Sequence, residues 1–479
     1  MATIGDSVSA GEVREDIPLK QGSKSSGWCS CDEETFGGSR FINISFAVLS
    51  VVITVALLVQ IYYGDYQVAP HGSVATDSRE CSSIGTSALK SGGNAIDAVI
   101  ASTLCLAVVN PHVTGLDASG QMILYNHRTR EPPISIDFST LNHEITLFPR
   151  LLIGLAYIHK KYSKLPWKKL VQPSADLAKT GFLVSRTLTS SFLNYQGPKD
   201  WFSGSLEAGN KLILNSLGDY LTTIGSIEEK DLYKYVSNIN EPLQSSAVIS
   251  KFKNYNIIMP GSSVIGTTLL LNLQQIDHLN FTTGDVAKPI YVSTMAQITK
   301  MAYAKLNAME KYYEGTSSNV AVMDLDDFYV SVVTGMSRPF GSGNLTPGGY
   351  FTDANYSEKL SQIPLIITDS NFICGRRIVL GVSDIVVGSQ VITALLLNAE
   401  NATISVEAPR FHILQNGAIG VEDGHTPSYS VDVVNKLNLT NGGVEHIKEP
   451  YDSCNIVEKF GDVLNSHSDS RGGGIASRF

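Results

Sequence analysis

The chain has 479 residues, a formal net charge of -9, 43% hydrophobic residues and 17% charged ones. An acidic balance excludes a general nucleic-acid binder, which carries a basic excess, and the apolar share is that of a folded protein with a sizeable core. The 6 cysteines and 10 histidines show no zinc-ligand spacing, so no metal and no cofactor is expected.

Residues 1–40 are polar and rich in Gly, Ser and Glu, which predicts a disordered tail. Ile44–Tyr63 then carries no charged side chain. Its length matches the roughly 20 residues that a helix needs to cross a bilayer core. A cleaved signal peptide has a shorter apolar core nearer the N-terminus, so 41–63 is expected to be a retained transmembrane signal anchor. Lys20, Lys24 and Arg40 precede the span, and the first cation after it is Arg79. Positive residues stay cytoplasmic. The expected topology is therefore single-pass type II, with the large C-terminal part outside and the plasma membrane as its site. Tyr62, Tyr63 and Tyr66 fit an interfacial belt, and 64–76 reads as a tether. N-x-S/T triplets at Asn280, Asn344, Asn355, Asn401 and Asn438 are compatible with an outer glycoprotein.

Asp77–His112 reads as two packed helices. Ile84, Ala88, Ala95, Val99, Leu104 and Val108 recur at helical spacing, Gly92–Gly93 breaks the pattern, and Pro111 ends it. A hairpin folded at the glycines can bring Cys81 and Cys105 side by side. Strands follow at Gln121–Tyr125 and Ile134–Phe138. Helices are predicted over Arg150–Tyr162 and Trp167–Thr180, closed by Gly181, and near Thr267–Ile276 and Tyr291–Lys311. Asn319–Met323 and Phe328–Val333 read as a hairpin. Then come a strand at Arg377–Leu380, a helix near Gln390–Asn398 and a short strand at Ser405–Val406. From Ser466 the chain is Ser/Gly-rich and expected to be loose. Cys29 and Cys31 lie in the tail as reduced thiols, while Cys374 and Cys454 are the cysteines left over outside and a remainder pair.

Five blocks resemble the gamma-glutamyltransferase (glutathione hydrolase) family: 77–112, 114–129, 164–188, 319–342 and 406–412. The likeness covers about 67–460. It implies an α+β fold, the four-layer αββα sandwich of the N-terminal-nucleophile hydrolases, here preceded by one transmembrane helix. It also implies a Cys81–Cys105 disulfide, and a division of the ectodomain into a large-subunit-like part, 67–316, and a small-subunit-like part, 317–479. In that family a precursor cuts itself, and the new N-terminal hydroxyl residue attacks a γ-glutamyl amide with its own α-amine as base. The resemblance puts Ser317 at the nucleophile position, with Thr316 as the alternative one residue earlier.

The substrate-holding positions fall on Ser139, Ser337, Asp353, Asn355 and Gly388. Most depart from the family pattern. Ser139 stands where an Arg would grip a carboxylate, and a neutral hydroxyl does not replace a bidentate guanidinium. Arg338 is the one nearby cation able to compensate. The expected partners are γ-glutamyl small molecules such as glutathione. The other reading is a catalytically inactive ectodomain that binds a partner protein at the membrane.

Overall fold

The structure is a computed structural model and describes residues 35–63, 71–139, 141, 148–197, 201–202, 206–234, 241–261, 264–286, 288–309, 316–354 and 361–479. The expectations for 1–34, Tyr66 and Asn355 lie outside these residues. The chain divides into two compact units, Met1–Val68 and Ala69–Phe479. In the first, a helix runs over Thr35–Tyr63. Its segment Arg40–Tyr62 is long and apolar enough to cross a membrane, and its apolar side chains are exposed.

The second unit is built on two antiparallel sheets. The strands, in chain order, are β1 (Ser73–Ala75), β2 (Ser119–Asn126), β3 (Ile134–Asp137), β4 (Phe182–Leu183), β5 (Lys211–Leu212), β6 (Leu243–Ser246), β7 (Val248–Phe252), β8 (Tyr255–Met259), β9 (Thr316–Met323) and β10 (Phe328–Met336). They continue with β11 (Ile363–Asp369), β12 (Arg377–Val382), β13 (Phe411–Ile413), β14 (Ile419–Glu422), β15 (Val444–Ile447), β16 (Ile456–Phe460), β17 (Val463–His467) and β18 (Ser477–Arg478). The first sheet has the order β18-β1-β9-β10-β2-β3-β6, and the second β17-β16-β12-β11-β8-β7.

Side-chain alternation explains the layering. Successive residues of a strand point to opposite faces. Along β9, Val320 and Val322 join a core formed with the helices Ala95–Val109, Arg150–Tyr162 and Trp167–Thr180. Ala321 and Met323 face the other way, into a core shared with Ile366 and Val379 of the second sheet. On the far side, Leu365, Ile367, Ile378 and Leu380 pack under the helices Val264–His278, Pro289–Met309 and Ile385–Leu396. Both sheets are thus apolar on both faces, and the result is the expected helix–sheet–sheet–helix sandwich.

The opening hairpin forms as read. Asn94 accepts from the N–H groups of Ile96 and Asp97, while the Asp97 carboxylate takes the Asn94 N–H at 2.8 Å. This reciprocal capping box starts the second helix. Cys81 and Cys105 are disulfide-bonded with their Cα atoms 5.3 Å apart. Cys374 and Cys454 are not paired: the first is an exposed thiol and the second a buried one.

Three local expectations are corrected. Ser405–Val406 is not a strand; it lies in a helix, Ala402–Glu407, because Asn401 caps that helix by accepting from Ile404 N–H at 2.8 Å. The stretch from Ser466 is not loose. Asp469 and Arg471 are buried in ion pairs, and β18 pairs with β1. That same pairing makes Ser73–Ala75, read as tether, a buried inner strand of the first sheet.

Candidate functional site

The first turn of β9 is the centre of the site. Ser317 is paired with Gly335 of β10, and Thr316 with Met336. A Cβ on Gly335 would lie 1.9 Å from the Thr316 carbonyl oxygen and 2.9 Å from the Ser317 Cβ. Only glycine lets the two strands approach this closely.

Alternation separates the two nucleophile candidates. Thr316 is in phase with Val320 and Val322, on the helix-facing side, and its Oγ1 donates toward the Val113 carbonyl at 3.2 Å. Ser318 shares that phase and donates to the Asp77 carboxylate, which also accepts from Asn455 Nδ2 at 2.7 Å. Burial pushes the Asp77 carboxyl up, against the bonds from Ser318 and Asn455. Ser317 is in phase with Asn319, Ala321 and Met323, which face the second sheet. Among the described residues no side-chain hydrogen bond involves Ser317, which is half-buried.

The loop before β2 connects this strand to a second group of residues. Ser119 Oγ donates to the Gly335 carbonyl at 3.2 Å, and Met336 N–H donates to Val113 O at 3.1 Å. Two residues before Ser119 lies Asp117, whose Oδ2 accepts from Asp353 N–H at 2.9 Å. Asp353 in turn accepts from Ser337 N–H (2.9 Å), Ser337 Oγ (2.5 Å) and Arg150 Nη2 (2.7 Å). Arg150 also donates to the Asp117 carbonyl from Nε and Nη2, at 3.1 and 3.0 Å, and to the Ser139 carbonyl from Nη1 at 3.2 Å. The Ser139 hydroxyl is taken by Asp137 at 2.5 Å. Arg150 and Ser337 are 1% exposed and Asp353 2%. Ser139, Ser337 and Asp353 are therefore brought together, but in a dry network that uses their polar atoms internally.

Gly388 does not join them. It lies inside the helix Ile385–Leu396, and its N–H donates to the Asp384 carbonyl at 3.1 Å. The neighbouring Val387 N–H donates to the Asp384 carboxylate at 2.8 Å, so Asp384 occupies the amides of both Val387 and Gly388.

A polar cavity of about 250 Å³ opens where β11 begins and β12 ends, lined in part by Ser361, Ser383, Asp384, His412 and Asp452. Gly381, two residues before Ser383, faces β9: a Cβ on it would stand 2.8 Å from the Asn319 Cβ. Burial and then the neighbouring Asp452 charge push the Asp384 carboxyl upward, and burial does the same to Asp452. His112, whose carbonyl lies near Thr316 Oγ1, is buried with neither ring nitrogen hydrogen-bonded among the described residues, and burial pulls it down to about 3.

Sequence reasoning missed Arg150, Asp117 and the cavity residues. One signal was available for Arg150. A cation in the first turn of a helix opposes the helix dipole, so a buried one there requires acidic partners.

The family profile for Gamma-glutamyltranspeptidase matches residues 81–142 and 148–197. Glutathione hydrolase 7 of Homo sapiens is 24% identical over 524 residues, covering 83% of this chain and 78% of its own. These matches support a divergent likeness to the gamma-glutamyltranspeptidase family. Glutathione hydrolase 2 of Arabidopsis thaliana is 30% identical over a shorter stretch of 290 residues, 50% of this chain and 49% of its own. A solved structure shares the fold. The cephalosporin acylase of Bacillus halodurans superposes with a TM-score of 0.65 at 16% identity, over 86% of this chain and 96% of that one. Profile matching stops at residue 197, so the family's signal is strongest in the part that holds the hairpin, Asp117 and Arg150.

Proposed function

We propose that this chain hydrolyses or transfers the γ-glutamyl group of small molecules such as glutathione, with Ser317 as nucleophile. The observation that carries this reading is the phase of β9, which turns Ser317 toward the second sheet and ties Thr316 to the helix side. Water first hydrolyses the peptide bond Thr316–Ser317, which leaves a carboxylate on Thr316 and a free α-amine on Ser317. That amine takes the Oγ proton as Oγ attacks the γ-carbonyl carbon. The C–N bond breaks, the leaving amine takes the proton, and an ester of Ser317 remains for water or an acceptor amine. An α-amine suits the task because its ordinary pKa is about 7.7–8.0. In this reading 67–316 and 317–479 are the two subunit-like parts.

The Lys20, Lys24 and Arg40 flank supports a type II orientation with Ala69–Phe479 outside, at the plasma membrane. The Cys81–Cys105 bond supports an oxidising side. The sequon residues Asn280, Asn344, Asn401 and Asn438 are exposed, which supports glycosylation there.

A second reading has one specific observation behind it. Asp353 and Ser337 spend their acceptors and donors on each other and on Arg150. An inactive ectodomain that serves a membrane partner would keep such an internally satisfied network. Expression of the full chain separates the two. On a denaturing gel the active reading expects two fragments parted before Ser317 and release of anilide from a γ-glutamyl anilide. Ser317→Ala should abolish both, and Thr316→Ala should spare turnover. A single uncut chain without turnover sinks the first reading.

A further inference from the structure

We infer that the cavity beside Arg338 binds the carboxylate of a small peptide. The cavity is about 430 Å³ and is lined by Ser191, Asn194, Tyr195, Gln196, Arg338 and Pro450 among others. Arg338 is exposed and supplies the one charge among the described lining residues. Its Nε donates to the Gly341 carbonyl at 2.9 Å, which fixes the plane of the guanidinium. No ion pair to a carboxylate is formed by it among the described residues, whereas Arg150, the guanidinium deeper in the fold, is consumed by Asp353, Asp117 and Ser139.

The support under Arg338 is rigid. Its chain neighbour Ser337 is bonded through both N–H and Oγ to Asp353. The turn is closed by Gly341 N–H on the Arg338 carbonyl at 2.9 Å. The Tyr195 wall is held by Trp201 and Phe340, with ring centroids 4.8 and 5.5 Å away. The buried network that fills the expected substrate position thus positions a cation at its rim.

The ligand class follows from the lining. An exposed guanidinium with no carboxylate partner among the described residues offers a planar fork that matches a carboxylate. One cation balances one negative charge; a phosphate or sulfate dianion would call for more. Tyr195 and the prolines offer apolar walls, and Asn194 and Gln196 offer amides complementary to peptide groups. This site does not depend on Ser317 or on turnover.

The test uses the full chain in detergent micelles and ligand-observed saturation-transfer NMR. The probes are N-acetyl-glycylglycine and its C-terminal amide, neither of which carries a γ-glutamyl group. The acid should bind about tenfold or more tightly than the amide, the cost of losing a charge-assisted pair. Arg338→Gln should lose that difference, and Arg338→Lys should keep part of it as a point charge without the fork. Inorganic phosphate at equal concentration should not displace the acid. Equal binding of acid and amide, no binding of the acid, full displacement by phosphate, or an acid preference surviving in Arg338→Gln would each overturn the inference. An inactive, uncut chain that still shows the preference leaves it standing.

Discussion

Replacing Arg150 by Met keeps most of the stem and removes the guanidinium. Asp353 would retain Ser337 N–H, Ser337 Oγ and Ala354 N–H as donors, but would lose its counter-ion at 2.7 Å. The Asp117 and Ser139 carbonyls would lose their bonds as well. Breaking a buried pair from one side costs about 3–5 kcal/mol. Three surviving donors on Asp353 place the loss at the low end, about 3 kcal/mol. Asp353→Asn alone should also destabilise. The double variant Arg150→Met/Asp353→Asn removes both charges and should be more stable than the sum of the singles by about 1–3 kcal/mol. Urea titration of the full chain, followed by tryptophan fluorescence, measures this as a shift of midpoint at constant slope. A loss below 1 kcal/mol for Arg150→Met, or strict additivity in the double variant, would refute the claim that this network is dry and internally closed.

Other consequences can be checked in the same assay. Replacing Cys81 and Cys105 by Ser opens a loop with a sequence separation of 24, worth about 3.5 kcal/mol by loop entropy; an unchanged midpoint would count against the bond. Gly335→Ala puts a methyl into the Thr316 carbonyl and should cost about 1–3 kcal/mol, with loss of any cut at Ser317; wild-type behaviour contradicts the close approach. Burial raises the Glu422 carboxyl, but bonds from His412 and Arg471 overcome it and hold it at about 2, below its ordinary 4.5. A depressed carboxyl stabilises above its unfolded pKa, so stability should be lost as pH falls from about 4.5 toward 2, by about 2–3 kcal/mol from this group. Glu422→Gln should flatten that acid limb.

Much of the fold was legible because its signals are local. Asn94 and Asp97 announce a capping box, Gly92–Gly93 a break, and the helices Arg150–Tyr162 and Trp167–Thr180 run to the residues read from the sequence. What failed depended on distant partners. Composition marks residues after Ser466 as loose, yet Asp469 is held by Arg410 at 2.8 Å, across 59 positions of chain. The site shows the same limit. Ser317 is the residue the family likeness indicates, but its face follows only from the register with Gly335. The Arg150–Asp353 pair spans 203 positions and leaves no spacing to read. The helix Ala402–Glu407 replaces the expected strand because the Asn401 side chain accepts from Ile404 N–H and starts a helical turn there.

The sharing of strands across position 316 has a mechanical meaning. The first sheet takes β1, β2, β3 and β6 from before that point and β9, β10 and β18 from after it; the second takes β7 and β8 from before and β11, β12, β16 and β17 from after. A chain severed between Thr316 and Ser317 would therefore be interlocked rather than merely associated. Its pieces would separate only with the dismantling of both sheets. The later piece, though no longer covalently joined to the apolar helix, would be retained with it, and its release into solution would report unfolding rather than dissociation.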